Sequence, residues 1–235
     1  MNKSFLARSL HKWIGLFVGV QVLIWLGTGL YMVVLDLDFI HGDPLVKNSP
    51  QTLTVPESGL ISIASLRQQY PKATSIGLRP IMGNTFFTVS VGGNRHLLDP
   101  QSGEVVSPLD KKTATEIAVF HFNGDGPVRN VELITENPPS EIGARPLPIW
   151  RIDFDDWYNT SFYINPDTGA LSTRRHTYWR LFDIFFMLHI MDYTERTDAH
   201  NLLLKVAQFT GTGFAITGLW LLFYSFKRRR KTVVK

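Results

Sequence analysis

The chain has 235 residues, no cysteine, a hydrophobic fraction of 44% and a mean hydropathy of zero. The missing cysteine excludes disulfides, thiolate metal ligands and a cysteine nucleophile. The formal charge of +4 is unevenly spread: residues 1–12 carry three basic side chains and residues 201–235 carry seven, with no acid in either. The other 14 basic residues and all 20 acidic ones fall between, so residues 36–200 have a net charge of −6. That is a topology signal, and it argues against nucleic acid as a partner.

Residues 1–12 read as a basic N-terminus. Residues 13–35, from WIGLFVGV to YMVVL, contain no charged side chain. At 1.5 Å per residue they reach roughly 35 Å, enough to cross a ~30 Å hydrocarbon core as a tilted helix. The run is longer than a signal-peptide core, and no small-residue cleavage site precedes Asp36, so it is expected to stay attached. His11, Gly15 and Gly19 recur at i, i+4, i+8 and share one helix face, continued by Val22, Leu26 and Gly29. Small residues there let a second helix or a flat ligand approach the backbone.

Residues 36–60 are rich in Pro, Gly and Ser and read as an extended linker. Residues 61–70 predict a short helix stopped by Pro71, followed by strands near 73–79, 85–91, 95–98 and 104–107. The segment then repeats its own pattern. Asp99-Pro-Gln-Ser-Gly103 and Asn165-Pro-Asp-Thr-Gly169 lie 66 residues apart, each between apolar runs. In each, Asx and Pro start a tight turn and Gly takes a positive φ, closing a β-hairpin. The second copy predicts a helix near 112–120, a strand near 128–135, a proline-rich loop through Pro148 and a strand at 150–154. The fold class is therefore an α+β membrane protein. Two helix-plus-antiparallel-meander units, 61–110 and 111–177, are flanked by two spans.

Residues 178–192 contain IFFMLHIM, too short to span yet apolar nearly all round, and are expected to lie at the membrane interface behind Tyr178 and Trp179. Residues 200–226 form the second span, followed by the basic tail 227–235. Ala207, Gly211, Ala215 and Gly218 make a small-residue stripe on it, which His200 joins if the helix starts early. The charge pattern places both termini in the cytoplasm and 36–200 outside.

Of the seven histidines, His41, His96, His121 and His176 read as surface or hydrogen-bonded residues. His11 and His189 adjoin membrane segments, where an ionisable group is costly and usually has a partner. Asp153, Asp155 and Asp156 read as a solvated strand edge rather than a metal cluster. No Ser/His/Asp order and no glycine-rich phosphate loop supports hydrolase or nucleotide chemistry.

A helix followed by strands that end in a [DN]-P-x-[ST]-G hairpin resembles the PepSY domain. The motifs LHKWIGL at 10–16, WRLFDIFFMLHIMDY at 179–193 and TGLWLLF at 217–223 resemble the PepSY-associated transmembrane family, over nearly the whole chain. Larger relatives have four spans and include b-haem siderophore-iron reductases; this chain has two spans and no nucleotide-binding glycine motif. The resemblance implies an inner-membrane b-type haem component passing electrons from a cytoplasmic flavoprotein to a periplasmic acceptor such as chelated ferric iron. It implies His11 and His189 as haem-iron ligands, with Gly15, Gly19 and His200 lining the cofactor. His11 belongs to the cytoplasmic end and His189 and His200 to the external end, so within one chain only His189 and His200 can share a depth; a homodimer is expected, His11 pairing with its symmetry mate. The alternative is a cofactor-free, membrane-anchored PepSY module that binds or regulates a periplasmic partner.

Overall fold

The computed structural model describes residues 3–47, 52–57 and 59–229, and the side chains within residues 12–219. The chain divides into two units: Leu37–Arg180, which is mixed α+β, and Met1–Asp36 with Leu181–Lys235, which is helical.

In the α+β unit, Ser62 caps α3 (Ile63–Gln69) by accepting from the Ser65 amide at 3.0 Å, and Pro71 prevents its continuation. Strands β1 (Ala73–Ile81), β2 (Asn84–Val91) and β3 (Asn94–Leu98) follow as an antiparallel meander. Two-residue turns join them, Met82-Gly83 and Gly92-Gly93, all four residues at positive φ, the geometry that matches strand twist. The strand expected at 104–107 is reduced to one bridge, Val105 with Leu98, because Ser107 Oγ takes the Leu97 amide that a longer strand would use. Asp110 caps α4 (Lys111–His121) through the Thr113 amide at 2.8 Å. A four-stranded antiparallel sheet completes the unit: β4 (Val128–Ile134), β5 (Ile149–Phe154), β6 (Ser161–Ile164) and β7 (Leu171–Arg175).

The two echoed pentapeptides adopt one geometry. Asp99 Oδ1 accepts from the amides of Gln101 and Ser102, and Asn165 Oδ1 from those of Asp167 and Thr168. The amides of Gly103 and Gly169 return to the carbonyls of Asp99 and Asn165 at 3.0 and 2.8 Å. Both glycines have positive φ, +74° and +63°.

The halves nevertheless share one core. Ile81 and Leu97 of the first sheet pack with Leu109, with Ala114, Ile117 and Ala118 of α4, and with Ile152, Phe154, Phe162 and Ile164 of the second. Trp150 Nε1 donates to the Leu109 carbonyl, and the Leu109 amide to Pro166 O. A half on its own would expose this surface.

Part of the expected linker is built into the same unit. Helix α2 (Leu37–His41) and a 3-10 turn at Asp43–Leu45 bury Ile40 and Leu45. Val46 bridges Phe122, and Asn123 donates to the carbonyls of Leu45 and Pro44. Proline and glycine counts misread this stretch because its apolar residues, not its turn formers, decide where it goes.

The helical unit consists of α1 (Lys3–Val34), α5 (Thr177–Ile190, whose first turn lies in the α+β unit) and α6 (Leu202–Arg229). Helices α1 and α6 are long and apolar enough to cross a membrane. They run antiparallel, with Gly15 against Phe214 and with Trp25 and Ala207 both packed on the cluster of Ile190, Met191 and Leu204. Helix α5 occupies the next stretch of α1, Phe185 meeting Tyr31 edge-on at 4.8 Å. So α5 and α6 follow α1 end to end, as one helix interrupted by residues 191–201. Large apolar side chains such as Leu23, Val33 and Phe209 point outward and stay exposed, as side chains facing lipid would.

The interruption is ordered by two residues. The Asp192 carboxylate accepts from the amides of Thr194, Glu195, Thr197 and Asp198 and from the Thr194 hydroxyl, and these donors, the Asp198 amide foremost, hold its pKa far below the usual carboxylate range. Asn201 caps both helices: Oδ1 accepts from the Leu204 amide at 2.8 Å, while Nδ2 donates to the Ile190 carbonyl at 2.8 Å. Asn201→Ala removes both caps, and we expect a local loss of about 1–2 kcal/mol. Amide hydrogen exchange should quicken across 190–205 and be unchanged in β5 and β6; uniform acceleration, or none, would contradict this.

Candidate functional site around His189

Gln21, Trp25 and Thr28 are spaced i, i+4, i+7 and so form one face of α1. His189, near the C-terminal end of α5, lies on that face. Its Nδ1 is 2.9 Å from Thr28 Oγ1. Thr28 Oγ1 itself donates to the Ile24 carbonyl at 2.7 Å. A hydroxyl has one proton: with that proton on the Ile24 carbonyl, Thr28 accepts the Nδ1–H of the imidazole. In that arrangement the ring is the Nδ1–H tautomer, and the Nε2 lone pair is available. Nε2 has no hydrogen-bond partner among the described residues. Trp25 Nε1 donates to the His189 carbonyl at 2.9 Å and ties down the end of α5. Gly29 lies beside the ring: a methyl group there would be in ordinary contact, 3.5 Å from His189 Cε1.

An imidazole whose Nδ1–H is held by an acceptor and whose Nε2 is open is the arrangement of a metal-ligating histidine, the held proton setting ring orientation and basicity. Among the described residues no group of three or more His, Asp or Glu could hold a metal ion. The described residues therefore offer a single such imidazole here, His189.

The other expected site residues do not join it. The His11 side chain lies outside the described residues. Its position on α1 is 14 to 18 residues before Trp25, Thr28 and Gly29, roughly 20–27 Å along the helix, so one chain does not bring His11 and His189 together. His200 is exposed and precedes Asn201, the cap of α6, with its amide on Asp198 Oδ1. It therefore does not share the small-residue stripe of α6. The face of Gly15 is covered by Phe214, whose Cζ would be 2.9 Å from a methyl group there, whereas Gly19 has nothing within 4 Å. Thr28 and Trp25 were missed by the sequence reading. The signal was present: polar groups in an otherwise apolar run, on one face.

A second polar cluster lies wholly in the α+β unit. Arg180 donates to Glu141 at 2.7 and 3.1 Å, to Ser161 Oγ at 2.8 Å and to the Asn159 carbonyl at 2.8 Å. Tyr163 donates its hydroxyl to Glu141 at 2.5 Å. Asp153 accepts from Ser161 at 2.6 Å and from Arg151 at 2.8 Å. Burial alone would raise the Glu141 carboxyl, but Arg180 and Tyr163 outweigh it and lower the pKa; burial and Glu141 push the Tyr163 hydroxyl up. Asp153 is buried, which corrects its reading as a solvated strand edge. Its neighbour Arg151 is what makes burial tolerable.

His176 is fully buried between α2 and β7, with Nε2 at 3.0 and 3.1 Å from the carbonyls of Phe39 and Ile40. Its Nδ1 is buried without a partner, and desolvation lowers its pKa, so it acts as a neutral pin between chain segments. Comparison with protein-family models, with curated proteins and with solved structures returns no match.

Proposed function

We propose that this chain is a b-haem electron-transfer component of a bacterial inner membrane, related to the PepSY-associated transmembrane proteins and working as a homodimer. The supporting observation is His189, oriented through Nδ1 by Thr28, with Nε2 open, in a helical unit whose apolar side chains face outward. The fit to haem is that of half a site: one imidazole per chain, completed by His189 of a second copy. Bound haem would supply a one-electron carrier. His189 would hold the iron, and Thr28 would keep the ring in register. His11, nearer the basic end of α1, would pair with its own mate at a second depth, so that electrons from a cytoplasmic flavoprotein could reach an external acceptor such as chelated ferric iron. The basic ends of the chain support cytoplasmic termini.

A second reading is a cofactor-free PepSY module bound to a periplasmic partner. Phe214 over Gly15 favours it, because the wall expected to take a macrocycle is already filled within the chain. Thr28→Val distinguishes the two. Valine keeps the shape and removes the acceptor, so haem affinity should fall about tenfold or more while the folded fraction is unchanged. Haem titration into purified protein reads this, and equal affinity for both proteins would remove Thr28 from the site.

A further inference from the structure

Below the His189 contact, α1 and α6 enclose a cleft of about 120 Å³. Phe17, Val18 and Trp25 line it from α1, Val206 and Ala207 from α6, and Gln21 and Thr210 are its polar side chains. Gln21 Nε2 is buried there with no hydrogen-bond partner. A primary amide has two N–H donors, and in hydrocarbon, where water cannot serve them, an unmet donor is costly. Gln21 lies eight residues from Trp13 and fourteen from Leu35, roughly 12 and 21 Å from the ends of the apolar run. The occupant must therefore bring an acceptor deep into the hydrocarbon together with an apolar body thin enough to pass between two helices.

We infer that this cleft binds a prenyl quinone, with a ring carbonyl accepting from Gln21 Nε2 and the tail lying along Val206 and Ala207. Phospholipid esters carry the same carbonyl chemistry, but they are held at the edge of the ~30 Å hydrocarbon core by their headgroups. A quinone carbonyl travels inside the core. Gln21 is also two turns from Thr28 on the same face of α1, roughly 10 Å along the axis, so the ring would lie near the His189 contact. The inference rests on the bilayer reading of α1 and α6 and is independent of haem.

The test uses the full chain in detergent, titrated with decylubiquinone and followed by tryptophan quenching, with organic extracts of the same preparation analysed by mass spectrometry. Wild type should bind saturably and carry quinone in its extract. Gln21→Leu keeps the span apolar and removes the donor, so affinity should fall about tenfold. Ala207→Phe fills the cleft and should abolish binding. Gly27→Leu, with nothing within 4 Å of the position, should bind as wild type does. No saturable binding, Gln21→Leu binding at wild-type affinity, or an extract holding phospholipid and no quinone would each overturn the inference. A haem-free protein that binds quinone supports it and overturns the haem reading; a haem-containing protein that does not bind quinone overturns this inference alone.

Discussion

Glu141→Gln is expected to destabilise the α+β unit by about 2–3 kcal/mol. Glu141 accepts two bonds from Arg180 and one from Tyr163, and its side chain is 11% exposed against 31% for Arg180. Glutamine keeps the volume but removes the charge that offsets Arg180 and the neighbouring Arg151. It also turns one acceptor end into a donor facing Arg180 or Tyr163. The partial exposure of Arg180 holds the effect below that of a fully buried pair. The pH dependence follows from the sign of the shift. The folded pKa of Glu141 lies below its ordinary value of 4.5, so its contribution is complete above pH 4.5 and is lost as pH falls through the folded pKa. Wild type should therefore weaken progressively below about pH 4.5, and Glu141→Gln should show a lower plateau with a shallower acid limb. Asp153, also lowered, adds to the loss below its own ordinary value of 3.8. Thermal melts of the full chain in detergent between pH 3 and 8 read both effects. Parallel curves for the two proteins would mean that the Arg180 contacts carry no net stability.

Gly169→Val is expected to cost about 3–4 kcal/mol, more than Gly103→Val at about 2 kcal/mol. Both force a β-branched residue to positive φ. They differ in what the new side chain meets. At Gly169 a methyl would be 2.9 Å from Ile81 Cδ1 and 3.3 Å from Ile117 and Leu109, all in the shared core. At Gly103 the nearest atom is Gln69 Oε1 at 2.8 Å, the movable end of a flexible side chain, and Leu66 Cδ2 and Ile61 Cδ1 at 3.0 and 3.1 Å belong to a smaller core of fewer buried side chains. Denaturant unfolding of the two variants should give that order. Equal losses would make the backbone conformation the whole effect and remove the packing argument.

What could be read from the sequence was local in its physics. The Asp99 and Asn165 turns depend on an Asx side chain bonding amides two and three residues ahead and on glycine at a fixed offset, so five residues were enough to identify both. The two long apolar runs needed only length. Helix α1 was cut short at Trp13 because hydropathy sees the apolar part alone, whereas nothing in residues 3–12 breaks the helix. Long-range features were not legible. Arg180 meets Glu141 across 39 positions, His176 meets the α2 carbonyls across about 137, and His189 meets Thr28 across 161. No period or turn signal encodes such pairs. The start of α6 was the avoidable miss, since Asn201 before an apolar run is an ordinary helix cap, and recognising it would have removed His200 from the stripe.

The most direct measurement is the optical spectrum of the detergent-solubilised full chain, oxidised and dithionite-reduced, beside that of His189→Ala. The account predicts a Soret band in wild type that shifts on reduction, with sharpened visible bands, and a loss of at least half of the bound haem in His189→Ala at unchanged expression, because no neighbouring group among the described residues offers an open imidazole nitrogen. A colourless wild type that also fails to take up added haem, or a His189→Ala protein retaining the full haem complement, would contradict it.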